Sequence, residues 1–91
     1  MSAYHFTLIT PEGGKLYDAP IESLVAPGME GAFGVLAQHA PMISGLRNGV
    51  LKLKPAGTNE KLFFTIAGGI LEVDGHNNVR LLADKAAACR N

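Results

Sequence analysis

The sequence predicts an all-β domain, an antiparallel sandwich or barrel of short strands. Three observations carry this. Apolar residues alternate with polar ones over short stretches instead of recurring at helical spacing. Eleven glycines and five prolines interrupt a chain of only 91 residues, which suits strands and turns better than long helices. Only Asp84 to Arg90 has helical propensity, and it spans about two turns, too short for a stable isolated helix.

The elements follow in order. Tyr4 to Thr10 alternates, with Tyr4, Phe6 and Leu8 on one side, as a half-buried strand does. Pro11-Glu12-Gly13-Gly14 is a turn, and Lys15 to Tyr17 a short return strand. Ile21 to Val25 forms another strand, stopped by Pro27-Gly28. Gly28 to Gly34 is a glycine-rich loop, Val35-Leu36 a brief apolar step, and Gln38 to Pro41 a connector. Pro41 biases Ala40 away from helix. Met42 to Leu46 is apolar and short, and Asn48-Gly49 carries a hairpin signal before the strand Val50 to Lys54. Pro55 to Asn59 is a polar loop, and Leu62 to Ile66 a strong strand. Gly68-Gly69 marks a hairpin turn or bulge before Ile70 to Val73. Asp74 to Asn78 is a turn carrying an exposed His76, and Val79 to Ala83 is the last strand.

Composition bounds the function. At 91 residues one domain is expected, with a modest core. Hydrophobic residues make up 47% and charged ones 18%, which excludes intrinsic disorder. Lys plus Arg and Asp plus Glu both total 8, so no basic excess favours nucleic acid and no polybasic stretch favours an anionic membrane. Cys89 is the only cysteine, which excludes an internal disulfide and fits a reducing compartment. Met1 to Tyr4 lacks the start of a signal peptide, and no apolar run nears the roughly 20 residues that span a bilayer.

Candidate chemistry is sparse. His5, His39 and His76 could join Glu72 and Asp74 as metal ligands, and His39 with His76 could serve a small metal-dependent enzyme. No two of them have ligand spacing within one element, so exposed histidines are the better reading. Gly28 to Gly34 lacks the lysine and the Ser/Thr of a phosphate loop. Ser23 and Ser44 have no nucleophile-elbow setting, and the carboxylates are scattered. The residues therefore predict no catalytic group, no metal and no cofactor. They describe a domain that works by presenting a surface.

An ordered set of motifs goes further. Phe6-Thr7-Leu8-Ile9-Thr10-Pro11-Glu12-Gly13 opens it, and the run from Ile21 to Leu36 includes Gly31-Ala32-Phe33-Gly34-Val35-Leu36. His39-Ala40-Pro41, Leu46 to Leu51, Gly68-Gly69-Ile70-Leu71-Glu72-Val73 and Leu81-Leu82-Ala83-Asp84 follow at matching distances. In this order the chain resembles the epsilon subunit family of F-type ATP synthases over nearly its whole length.

The resemblance implies a two-layer antiparallel β-sandwich over residues 1–84, followed by a short tail at 85–91. It implies a non-catalytic rotor subunit that docks the gamma subunit to the c-ring and couples proton or sodium flow to ATP synthesis. It implies ring contacts at Glu30, Gly31, Ala32, Phe33 and His39, with Ala32 standing where many members carry an acidic or polar residue. It implies gamma contacts at Thr10, His39, Ala40 and Pro41. Most members continue into a helical hairpin that inhibits ATP hydrolysis or binds ATP. With the sequence ending at Asn91, neither that function nor nucleotide binding is expected. Peripheral attachment to the cytoplasmic face of the bacterial inner membrane is the expected location. A free-standing sandwich that binds a protein or small molecule is the alternative reading.

Overall fold

Side chains that alternate along the sequence alternate between core and solvent in the structure, a computed structural model that describes residues 2–90. Met1 and Asn91, at the ends of the expected domain and tail, lie outside the described residues. Nine strands form: β1 (Tyr4–Thr10), β2 (Gly14–Gly28), β3 (Gly31–Leu36), β4 (Met42–Leu46), β5 (Gly49–Pro55), β6 (Leu62–Ala67), β7 (Gly69–Val73), β8 (Asn78–Leu82) and β9 (Lys85–Cys89).

The strands run in the order β1-β8-β7-β4-β2-β5-β6-β9, with β3 on β2 and a further β1–β2 pairing. The long strand β2 makes this order into a sandwich. Its first half pairs with β1, from Thr10 opposite Gly14 to Tyr4 opposite Ile21. Its second half pairs with β5 on one side and β3 on the other. The register shifts between Ile21 and Ser23, where β2 passes from one layer to the other. One layer is therefore β2-β1-β8-β7-β4 and the other β9-β6-β5-β2-β3.

The core lies between the layers. Phe6, Leu8, Leu71 and Leu81 of the first layer meet Leu24, Val35, Leu51 and Leu53 of the second, all fully or almost fully buried. Tyr4 joins them, and its hydroxyl donates to the carbonyl of Val35 across the sandwich. Burial pushes the Tyr4 phenol well above its ordinary pKa, so it stays a neutral donor.

Several local expectations change. Lys15–Tyr17 and Ile21–Val25 are parts of a single fifteen-residue strand, not two strands. Gly28 to Gly34 is no open loop. Gly28 pairs with Gly31 around a two-residue Met29-Glu30 turn, and Gly31 has φ 132°. The pairing is not wholly antiparallel, because β1 and β8 run parallel, His5 opposite Asn78 through Ile9 opposite Leu82.

Asn48-Gly49 and Gly68-Gly69 are corners between layers instead of hairpins. Strand β4 pairs with β7, and β5 with β6 and β2. Close approach explains the glycines. A Cβ on Gly49 would stand 2.7 Å from Cβ of Pro27, whose carbonyl accepts from the Arg47 N–H. A Cβ on Gly69 would stand 2.5 Å from the carbonyl oxygen of Leu82.

Asp84 to Arg90 forms no helix. Lys85 to Cys89 pairs antiparallel with Phe63 to Ala67. Alanine propensity in so short a segment is worth little. Joining the open edge of β6 instead satisfies the backbone and packs Ala86 against the core. The stretch expected as a tail is thus the last strand of the second layer.

Two consequences are measurable. Phe6→Ala removes a fully buried ring and should cost about 3–5 kcal/mol in urea unfolding, a large share of the roughly 5–15 kcal/mol available to a small domain. Gly69→Ala combines a backbone clash with a left-handed φ of 141° and should cost about 2–4 kcal/mol by the same measurement.

Candidate partner-binding surface

Strand register determines which side chains share the outer face of the first layer. Ile9 lies opposite Leu82, Leu82 opposite Ile70, and Ile70 opposite Gly45. One row of the outer face is therefore apolar across four strands. Met29 extends it, since its Cγ lies 3.5 Å from where a Cβ on Gly45 would be. Ile43 stands one step along β4, opposite Glu72. Ile43 is 74% exposed, Met29 66%, Leu82 54% and Ile70 51%. Single exposed apolar residues are ordinary, but a contiguous band marks a surface built to be covered.

Polar residues border the band. Thr7, Arg80 and Glu72 form the adjoining row, which ends at the apolar Ile43. Arg80 Nε lies 3.6 Å from Glu72 Oε1. Further along, Asp18 receives Thr7 Oγ1 and contacts His5 Nε2 and Lys15 Nζ. The hydrogen bond with His5 leads the contacts that hold the Asp18 carboxyl below its ordinary pKa.

Four of the five residues expected to contact the ring form one group. Glu30, Gly31, Ala32 and Phe33 line a groove of about 540 Å³ with Met29, Ile43 and Gly45. Glu30 and Ala32 are exposed, while Phe33 leans on the core. His39 is exposed but lies elsewhere, in the β3–β4 connector with Ala40 and Pro41. Its Nδ1 lies 2.7 Å from the carbonyl oxygen of Ala40.

The β7–β8 turn braces that connector. Gln38, with φ 65°, donates its N–H to Asn77 Oδ1 at 2.8 Å. The connector and the Met29-Glu30 turn thus flank opposite ends of β4, roughly 13 Å apart by strand rise. Thr10 is different again. It is 6% exposed, and its hydroxyl oxygen accepts from the Gly13 N–H at 2.9 Å, closing the β1–β2 turn. Its neighbours Ile9 and Pro11 reach the surface beside Leu82.

Sequence reasoning missed the centre of the band, Ile70 and Leu82. The signal was available in the alternation. If Leu71 and Val73 face in, Ile70 faces out, and if Leu81 faces in, so does Leu82 face out.

Among the described residues, no three His, Cys, Asp or Glu side chains converge as a metal site requires. Asp74 instead closes its own turn, accepting the N–H groups of His76 and Asn78 on Oδ1. These bonds, the one from His76 foremost, hold its carboxyl below the ordinary range.

Fold and surface define a class first: an all-β sandwich with a contiguous apolar band on the outer face of one layer. Comparison with known proteins then gives the family. Residues 3–88 match the model of the ATP synthase, Delta/Epsilon chain, beta-sandwich domain, and the chain belongs to that family.

The ATP synthase epsilon chain of Symbiobacterium thermophilum is 41% identical over 86 residues, 94% of this chain and 60% of that protein. That of Halorhodospira halophila is 37% identical over 91 residues, 100% of this chain and 63% of its own. The chain thus spans about three-fifths of these curated relatives. A chain in the Euglena gracilis mitochondrial ATP synthase (OSCP/F1/c-ring) superposes with a TM-score of 0.88 at 25% identity, over 97% of this chain and 54% of that one. One in the central stalk/c-ring of the Tetrahymena thermophila enzyme shares the fold, with a TM-score of 0.78 at 20% identity, over 91% of this chain and 64% of that one.

The Asp74 turn yields a pH prediction. A folded pKa below the unfolded one adds stability that is complete above the unfolded value of about 3.9 and is lost as pH falls through the folded value. Asp74→Ala should therefore lower Tm at pH 7, and the gap from the parent should shrink steadily below about pH 4 in a series of thermal melts.

Proposed function

We propose that this sandwich is the coupling part of an ATP synthase epsilon subunit, a non-catalytic rotor element that holds the gamma subunit to the c-ring. The band Ile9–Leu82–Ile70, continued by Met29 and Ile43, is the observation that carries the reading. It supplies what a permanent neighbour needs, an apolar area bordered by polar residues on a stiff support. The family match and the similarity to a chain of a c-ring-containing complex support the same reading.

In this reading gamma covers the apolar band together with His39, Ala40 and Pro41 at the end of β4. Ile9 and Pro11 carry the contact expected near Thr10. Residues Glu30 to Phe33, with Glu30 and Ala32 exposed at the far end of β4, meet the polar loops of the ring. Rotation of the ring, driven by protons or sodium ions, then reaches gamma through the β-sandwich. The complex attaches the domain peripherally to the membrane, on the cytoplasmic face in a bacterium. This role belongs to the sandwich alone and calls on no nucleotide and no helical hairpin.

The test is binding. Purified gamma should co-elute with the chain at micromolar concentration, and Ile70→Lys/Leu82→Lys should weaken that complex by about two orders of magnitude, since each side chain is worth roughly 1–2 kcal/mol when covered. Both positions face solvent, so the melting temperature of the isolated variant should stay within a few degrees of the parent. Indifference of both gamma and intact c-ring to the parent chain would sink the proposal.

A further inference from the structure

The opposite face of the sandwich carries a different chemistry. On the outer side of the second layer, Ser23 and Val25 of β2, Lys52 and Lys54 of β5, and Lys61 just before β6 line a groove of about 390 Å³. Lys54 is already neutralised. Its Nζ donates to Glu22 Oε1 and to the Thr58 carbonyl, each at 2.7 Å, and the Gly57 N–H donates to Glu22 Oε2. That locked pair gives the groove a rigid end. Lys52 and Lys61 have no ion-pair partner among the described residues. The chain as a whole is neutral, so two unmatched ammonium groups beside one groove are a local excess.

The strand register fixes how far apart these charges stand. Lys52 lies opposite Phe63, so Lys61, two residues earlier, is its diagonal neighbour, with backbones about 7–8 Å apart. The charges are spread along the groove and do not converge on one point, as they would around a single phosphate. About 7 Å is also the repeat between alternate side chains of an extended peptide. Val25, opposite Lys52 on the side away from Lys61, offers an apolar contact at the β2 side of the groove.

We propose that this groove docks an extended acidic segment of a neighbouring protein, with carboxylates at alternate positions that match Lys52 and Lys61. The Ser23 hydroxyl adds a hydrogen-bond donor within the same groove. The site is separate from the apolar band, on the other side of the sandwich. It can hold its partner while gamma occupies that band, and it does not depend on the coupling role.

The probe is the peptide acetyl-Glu-Leu-Glu-Leu-Glu-amide, titrated into the isotope-labelled chain at about 50 mM salt, where exposed charges are only partly screened. Amide shifts should concentrate at Ser23, Val25, Lys52, Lys54 and Lys61, and the glutamine version of the peptide should leave them unmoved. Lys52→Glu/Lys61→Glu should weaken binding roughly tenfold, the equivalent of two exposed ion pairs, and the milder Lys52→Gln/Lys61→Gln should weaken it less. Gamma binding by these variants should be unchanged, which separates this site from the apolar band. No localised shift at millimolar peptide would overturn the proposal. So would inorganic diphosphate or phosphatidylglycerol vesicles moving the same amides as strongly as the peptide, since a small anion or a lipid surface would then be the better ligand.

Discussion

One strand holds the architecture together. Strand β2 pairs with β1 over its first half, with β5 and β3 over its second, and meets β4 at Gly28 opposite Leu46. The two layers are therefore continuous through the backbone of residues 14–28 and not merely pressed together by apolar contact. The irregularity between Ile21 and Ser23 lets the strand turn from one layer to the other, with Ile21 fully buried where it does so. Everything on the outer surfaces inherits its position from this strand. The apolar band starts on β1, the neighbour of its first half, and runs outward over β8 and β7, and the lysine groove is built directly on its second half.

The two outer faces then diverge. In the first layer one outward row carries Ile9, Leu82 and Ile70, while in the second Ser23, Lys52 and Lys54 face out together with exposed Leu36 and Val50. The inner faces are equally apolar in both layers, as a sandwich core requires. Burial on folding cannot explain side chains that remain about half exposed, such as Ile70 and Leu82. In the proposed coupling role they are covered by another molecule, a reading that membership of the family supports.

The sequence made most strands legible because side-chain alternation is a local property. Phe6 and Leu8, or Leu71 and Val73, declare an inner face without knowledge of any partner. Pairing is not local, and there the reading went astray. Asn48-Gly49 has the composition of a hairpin, yet the glycine is needed because Pro27 presses against it from β2. Gly68-Gly69 likewise answers to the Leu82 carbonyl, thirteen residues further on. Residues 85–89 have alanines that suit a helix, but the open edge of β6 decides their conformation. The expected contact residues come only from the motifs. Glu30 and Phe33 line a surface groove, whereas the outward side of Ile70 and Leu82 follows only from alternation about the buried Leu71 and Leu81.

The parallel pairing of β1 with β8 bears on how the protein is made. Tyr4–Thr10 can form its hairpin with β2 as soon as residues to Ile21 have been synthesised. Its other edge must wait for Asn78–Leu82, almost the whole chain later. Until those residues leave the ribosome, Phe6 and Leu8 lack the Val79 and Leu81 that flank them in the finished layer, and the loop to be closed is about seventy residues long. The nascent chain thus passes through its synthesis with an unfinished first layer. The order of translation makes β8 the strand that completes this layer.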